Sequence, residues 1–440
     1  MSNTLQVGFS RVNITPPLGC NMIGYFRKRF AEGVHDELEA NAIAFSCGES
    51  KAVVISVDHL GVDMTILNMI RHLIAEATGL APEAVYIHCT HTHTGPLVDA
   101  TSDVWQDREY YPLFCRKVAD AATLALQDLQ PAQMGYGLSE AKGIAFIRRY
   151  RMKDGSTQTN PGRGNPDVVG PMCETDDRVC VLRFKRENDN IVVASFGMHP
   201  DTVGSNKYSA DWPGFVRRIT EQAIPGCKCI SLTAFQGDVN HVDLNRPEWY
   251  TPASKTTEQA SHLGRVISGS IQQVYDKVRF VDVDSVTYMI KEVEAATNRA
   301  TPEQLPEAHR IVELYDAGEK SQIPGKGMEK NTIITEALRM VRWENGPDSV
   351  MLPVSGIAVG NVAFLGLPGE PFTQVGLELK NAEGWDMVIH TCNTNGKQGY
   401  IPTNDAFGGG SYEDRASNFK VGIADQFIAT AKEVLNFLQQ

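Results

Sequence analysis

No stretch of this sequence is both long and apolar enough to span a bilayer; its longest apolar runs, 52–57 and 192–198, have the length of buried strands. The opening residues, MSNTLQVGFSRVNITPP, contain no basic region, apolar stretch or small-residue cleavage site. No secretory leader is therefore expected, and the cytoplasm is the expected compartment. Basic residues are in deficit: 41 Lys and Arg face 53 Asp and Glu, a formal charge of −12 without long acidic runs. This balance excludes a phosphate-tracking surface, so neither nucleic acid nor an anionic membrane is expected as partner, and a small-molecule substrate is. The nine cysteines contain no CxxC pair and stand singly apart from Cys227 and Cys229, which fits reduced thiols better than a disulfide framework. Cys227-Lys-Cys229 could bind a metal, but two thiols one residue apart in a β-like run are more often ordinary strand positions. Internal repeats and low-complexity tracts are absent, and no feature of the sequence speaks to oligomeric state.

What is present is a 440-residue chain in which short β-branched runs alternate with longer helical patterns. AVVISVD (52–58) precedes a helix-like 64–79, and VYIHC (85–89) precedes a helix-like 108–129; further strand candidates are 179–184, 191–198 and 229–234. The alternation predicts an α/β fold, a layered mixed β-sheet core flanked by helices, with the chain returning to one sheet system within a single domain, 1–440. Between 285 and 347 the pattern becomes charged and helical, broken by Ile323-Pro-Gly-Lys-Gly, which predicts an inserted helical segment or lid. Strand-like runs resume at 350–367, a helix is expected near Pro371, VIHTC (388–392) is another strand, and 421–438 is a closing helix.

The strongest local signal is Thr90-His91-Thr92-His93-Thr94-Gly95-Pro96, directly after the strand VYIHC. Residues two apart in an extended segment project to one side, so His91 and His93 can face one cleft at a strand's carboxyl end, where open α/β sheets place ligands. Two polar residues finishing a loop would read the same way. A second apolar strand, 191–198, ends in His199-Pro200-Asp201, and two buried strands delivering imidazoles at one end is what a divalent ion requires. Alone, His199 is more often a hydrogen-bonded strand end. A third strand runs into Pro368-Gly369-Glu370-Pro371, where Glu370 can either cap a helix or complete a metal site. Tyr400 and Tyr412 have no distinguishing spacing and read as packing residues.

Taken together the motifs resemble the neutral, non-lysosomal ceramidase family. The likeness runs through Gly8, Asn13-Ile-Thr-Pro16, Asn21-Met-Ile-Gly-Tyr25, Ser56-Val-Asp58, the doubled His motif, Gly237-Asp-Val239, Leu367-Pro-Gly-Glu370 and Tyr400, in the family's order and over most of the chain. The resemblance implies a Zn²⁺ site, one ion per chain, held by His91, His199, Glu370 and Tyr400, donors that also admit another divalent ion. It implies active-site roles for His93 and Tyr412 and for an arginine matching Arg148, with Arg149 and Arg151 close by. Two departures stand out. Where the family's Gly-Asp-Val-Ser-Pro-Asn carries an active-site serine, this chain reads Gly237-Asp238-Val239-Asn240-His241-Val242, so Asn240 takes the serine's place. The family's C-terminal β-sandwich, moreover, is not expected after Tyr412.

The implied activity is zinc-dependent hydrolysis, by a metal-activated water, of an amide or related acyl bond in a small polar substrate other than ceramide. His93, Arg148, Tyr412 and Asn240 would be catalytic, and His241, Asp238 and Asp201 would contact substrate. The polar residues Asp201, Asp211, Trp212, Asn240, His241 and Asp243 also suit a second reading, a metal-dependent hydrolase of glycosides or polyols. A third is a non-catalytic binding protein stabilised by its metal.

Overall fold

The computed structural model describes residues 4–245 and 255–440. Its architecture is mixed α/β, as predicted, but the strands are divided among three principal sheets instead of one. In spatial order the first contains Val85–Cys89, Ser50–Val57, Glu39–Cys47, Gln6–Asn13 and Gln130–Pro131. The second contains Cys227–Thr233, Asn190–Phe196, Arg178–Lys185, Gln133–Glu140 and Arg279–Val281. The third contains Val286–Ala296, Ser349–Val359, Val362–Gly366 and Met387–Thr391. Each has a parallel pair at one edge: Ser50–Val57 with Val85–Cys89, Asn190–Phe196 with Cys227–Thr233, and Val362–Gly366 with Met387–Thr391.

The strands read as continuous apolar runs because both of their faces are covered, and the two-residue alternation assigns each side chain to one of two cores. In Glu39–Cys47, Ala40, Ala42 and Ala44 pack outward on the helices Met64–Thr78 and Trp105–Gln127, while Ile43 and Phe45 face inward. In Arg178–Lys185, Val179 and Val181 meet Trp212, Val216 and Leu263 of the helices Asp211–Ala223 and Thr257–Tyr275, and Leu182 and Phe184 face inward. In Ser349–Val359, Val354 and Ala358 pack under the closing helix Ile423–Leu438, and Ile357 and Val359 turn in. The inward faces share one core. At its centre Phe45 of the first sheet lies 5.5 Å from Phe184 of the second and 5.9 Å from Phe364 of the third, and each buried ring contributes about 1.5–3 kcal/mol through burial.

The segment 285–347 is helical only in part. Val286–Ala296 is a strand paired along its length with Ser349–Val359. Its run Glu292-Val293-Glu294-Ala295 alternates exposed carboxylates with buried apolar side chains, which is a strand's period carried by charged residues. The helices Leu305–Asp316 and Gly327–Trp343 form a hairpin between the two strands around Ala308, Ile311, Ile334, Ala337 and Met340. Arg415 is paired with Glu336 of this hairpin, and Arg339 donates to the Arg415 carbonyl. Among the described residues no helix is long and apolar enough to cross a membrane.

Arg186 ties the first two sheets together, donating to the Val7 carbonyl and to Asp128 and gripping Asp189 through two bonds of 2.6 Å. Hydrogen bonding to Arg186 pulls the Asp189 carboxyl down from 3.8 to about 2, against partial burial and with help from Lys228. A carboxyl depressed on folding stabilises the fold above its unfolded value and loses that contribution as pH falls through its folded value. Asp189→Asn is therefore expected to cost about 1 kcal/mol near neutrality, solvent screening included. Thermal melts of variant and wild type should converge as pH falls from 4 to 2, and a gap that stayed constant there would contradict this role.

Candidate metal centre and active site

The loops leaving the three parallel pairs meet at one end of the molecule. The Cys89 amide donates to the Asn393 carbonyl, Cys392 to Thr233, and His199 to Val239. Each loop delivers a donor to the junction, the arrangement in which α/β sheets place ligands. His91, at φ +70°, stands in the left-handed region unfavourable to a side-chain-bearing residue, a local strain of the kind concentrated at functional sites. Glu370 lies in a short parallel pair with Tyr400, its amide bonded to the Gly399 carbonyl at 2.8 Å. Gly237 is required beside it, because a Cβ there would stand 2.3 Å from the Glu370 carbonyl oxygen.

Three imidazoles converge. His91, His93 and His199 present ligand nitrogens within 4.8 Å of one another, a grouping able to hold a metal ion. In each ring Nδ1 faces a backbone carbonyl: Leu60 at 2.7 Å, Gly24 at 2.6 Å and Gln236 at 3.1 Å respectively. For His93 and His199 these partners assign the proton to Nδ1 and the lone pair to Nε2, the tautomer of a ligating histidine, while His91 Nδ1 also has the Asn393 side-chain nitrogen at 3.1 Å. Glu370 Oε2 lies 3.3 Å from His91 Nε2 and 3.2 Å from His199 Nε2. With that tautomer the His199 contact is acceptor facing acceptor. The Nε2 atoms of His93 and His199 and Oε2 of Glu370 are buried without a hydrogen bond. A cation is the partner that such a set lacks.

Protonation states agree with this. Burial lowers the His93 pKa well below its usual value, helped by the neighbouring imidazoles, and lowers that of His199, helped by Arg148. For Glu370, burial favours the neutral form but is outweighed by His91 and His199, which hold its pKa well below the ordinary carboxylate range. Neutral imidazoles at His93 and His199 beside an ionised Glu370 are what ligation requires.

Tyr400 is buried, its ring 6.4 Å from that of His199 and tilted 27° to it, with the Arg148 guanidinium 5.4 Å above the Tyr400 centroid. Burial, together with Glu370 and Tyr412, raises its phenol well above the usual value, against the pull of Arg148. Arg148 is held by Glu413 at 2.6 Å and the Gly237 carbonyl at 2.8 Å. Arg149 instead lies over Phe372 and donates to Ser411, and Arg151 is exposed, so Arg148 is the arginine that reaches the centre. The Tyr412 ring sits 5.5 Å from Tyr400, and burial pushes its phenol up to about 12. Asn240 is buried, donating to Asn160 Oδ1 at 3.1 Å and accepting from the Val242 amide at 3.0 Å.

Asp201 and His241 form a second cluster at this end: His241 Nδ1 is 3.5 Å and Lys255 Nζ 3.1 Å from the Asp201 carboxylate. Asp238 departs from the sequence reading as a substrate contact. Fully buried, it accepts from the Thr373 amide at 2.8 Å and the Thr373 hydroxyl at 2.9 Å through Oδ1, while Oδ2 faces Cys173 Sγ, so it anchors the start of the helix Thr373–Leu379 behind the Glu370 turn. Sequence reasoning also misses Glu413, Asn160 and Lys255. Glu413 follows Tyr412 directly, but its partner Arg148 is 265 positions away.

Asp211, another buried residue at positive φ, accepts from the amides of Thr202 and Val203 at 2.9 Å each and from the Thr202 hydroxyl. It thereby fixes the loop that carries His199. Asp211→Ala strands those amides and is expected to cost about 1–3 kcal/mol and to weaken metal binding about 10–100-fold. Competition with a chromogenic chelator would measure the second effect; unchanged affinity would show that the loop holds itself.

The site is thus a three-imidazole, one-carboxylate centre on an α/β scaffold. No family model matches the chain, and no curated protein matches its sequence. Among solved structures, neutral ceramidase from Pseudomonas aeruginosa superimposes on 100% of this chain and 75% of its own, with a TM-score of 0.77 at 16% identity. A structure described as ceramidase complexed with C2 gives 100%, 76%, 0.74 and 15%. The chain has a neutral ceramidase-like fold.

Proposed function

We propose that this chain is a zinc-dependent hydrolase acting on an amide or related acyl bond of a small, polar substrate. The observation that carries the reading is that Nε2 of His93 and His199 and Oε2 of Glu370, gathered beside His91, are buried without a hydrogen-bonding partner. Mixed imidazole and carboxylate donors with a phenol alongside suit Zn²⁺, and His91, His199 and Glu370 would hold it with Tyr400 as the fourth ligand. Bound there, the ion would supply Lewis acidity, polarising a scissile carbonyl and acidifying water.

The chain's own groups supply the rest. His93, whose Nε2 faces the centre while Nδ1 is fixed by Gly24, is placed to move a proton between water and the leaving group. Tyr412 lies within reach of the same space and, protonated at neutral pH, can donate to charge developing on the carbonyl oxygen. Arg148 keeps positive potential beside Tyr400. Asn240 offers an amide where the ceramidase-like motif has a serine hydroxyl, so it can donate to substrate but has no ionisable hydroxyl to contribute.

The test is elemental analysis of the purified protein followed by a hydrolysis screen of N-acyl amines, esters and glycosides. About one zinc per chain is expected, with turnover of an acyl compound that a chelator abolishes and added zinc restores. A folded protein that neither retains nor takes up zinc would end this reading, and turnover confined to glycosides would replace the acyl bond with a glycosidic one.

A further inference from the structure

A cavity of about 530 Å³ opens between the segment 156–162, which contains the strand Thr157–Thr159, the start of the helix Gly327–Trp343 and the glycine-rich turn before Tyr412. Two residues connect it with the centre. Tyr412 forms part of its wall and meets Tyr400, and Asn160, also on the wall, holds the Asn240 side chain. The imidazoles and Glu370 do not line the cavity, so a substrate that reached both would pass Tyr412 and Asn160.

The cavity's chemistry is distinctive. Thr157, Gln158, Asn160 and Thr332 present hydroxyls and amides along it, beside about as much apolar surface, to which Met328, Pro161 and Tyr412 belong. Its charges do not select an ion: Lys326 and Glu329 line it with opposite signs, and Arg415 is already paired with Glu336. Existing bonds leave much of the polar capacity open. The Thr157 hydroxyl has only the Met172 sulfur at 3.8 Å as acceptor, and Thr332, which donates to the Met328 carbonyl at 2.9 Å, keeps its lone pairs. Amides and hydroxyls both donate and accept, which is the complement of a ligand whose own groups do both. An alkyl chain in the same space would strip water from these groups and return no hydrogen bonds.

We propose that this cavity receives a polyhydroxylated moiety, so that the substrate is an N-acylated amino sugar or amino polyol. The proposal rests on the hydrolase reading for its chemistry: water adds to the acyl carbon, the C–N bond breaks, and a carboxylate and the protonated amine leave. It goes beyond that reading in naming what the far side of the substrate is, and the cavity is of a size for such a small ligand.

The probes are N-acetylglucosamine and N-acetylhexylamine, which share the acetamide and differ in hydroxyls. With zinc-loaded protein, amine release should show kcat/KM at least about tenfold higher for the sugar. Gln158→Ala and Thr332→Val, each checked for native circular dichroism, should raise KM for the sugar about tenfold with little change in kcat. Equal or better turnover of the alkyl amide would overturn the proposal. Calorimetry on metal-stripped protein separates this failure from that of the hydrolase reading. Sugar binding that Gln158→Ala weakens supports the pocket even if nothing is hydrolysed, whereas no sugar binding at millimolar concentration overturns it even if other amides are cleaved.

Discussion

Glu370→Gln is expected to yield a folded protein that retains no metal after dialysis and hydrolyses its substrate at least about 10³-fold more slowly than wild type. The replacement keeps the shape of the side chain and removes only its charge. The turn that carries it is held by backbone bonds, Glu370 amide to the Gly399 carbonyl and Gly237 amide to the Pro371 carbonyl, which the variant retains. What is lost is the carboxylate placed 3.3 Å from His91 Nε2 and 3.2 Å from His199 Nε2. Losing the Lewis acid forfeits several kcal/mol of transition-state stabilisation, and about 4 kcal/mol corresponds to 10³ in rate. Stability gives an independent readout. Ligand binding to the native state alone stabilises it by mass action, so wild type should melt higher with zinc than with chelator, while the variant should melt alike in both. If the Glu370→Gln protein kept one metal per chain together with turnover, His93, not Glu370, would complete the ligand set.

The sequence discloses this centre in proportion to how local its parts are. His91, His199 and Glu370 each follow an apolar strand directly, and a strand's carboxyl end is recognisable in a window of ten residues. Which strands lie side by side is a non-local fact. An apolar run such as Ile191–Phe196 reveals that both faces are covered but not whether the cover is one sheet's helices or another sheet, and so three sheets around Phe45, Phe184 and Phe364 read in sequence as one. Val286–Ala296 reads as part of a helical segment because Lys291, Glu292 and Glu294 mask its alternation. The residues that hold the site in place are the least legible. Asp238, Asp211, Glu413 and Asn160 owe their roles to partners brought close only by the finished fold, and a polar residue with a distant partner looks, in sequence, like any other polar residue.

Arg217→Met is expected to destabilise the protein by about 3–5 kcal/mol, although methionine fills similar volume, because the substitution leaves a buried carboxylate without its counter-charge. Arg217 is 1% exposed and Asp58 is 0% exposed. The guanidinium donates Nη1 to Asp58 Oδ1 at 3.0 Å and Nη2 to Oδ2, and its Nε lies 3.1 Å from Glu39. Burial works against its charge, but Asp58 and Glu39 more than offset that and raise its pKa. The pair joins the helix Asp211–Ala223, packed on the second sheet, to the end of the strand Ser50–Val57 in the first. Asp58 also accepts from the Glu39 amide and from the hydroxyl of Thr90, the residue before His91, so the same ion pair steadies one flank of the metal centre. Denaturant midpoints would give the loss, and the double variant Asp58→Leu/Arg217→Met should recover most of it, since Glu39, the carboxylate that remains, keeps Arg11 at 3.3 Å. The recovered protein should nevertheless bind zinc more weakly than wild type, because Thr90 has lost its acceptor. If the single variant cost less than about 1 kcal/mol, water would have to reach Asp58, and the junction between the two sheets would be looser than its geometry implies.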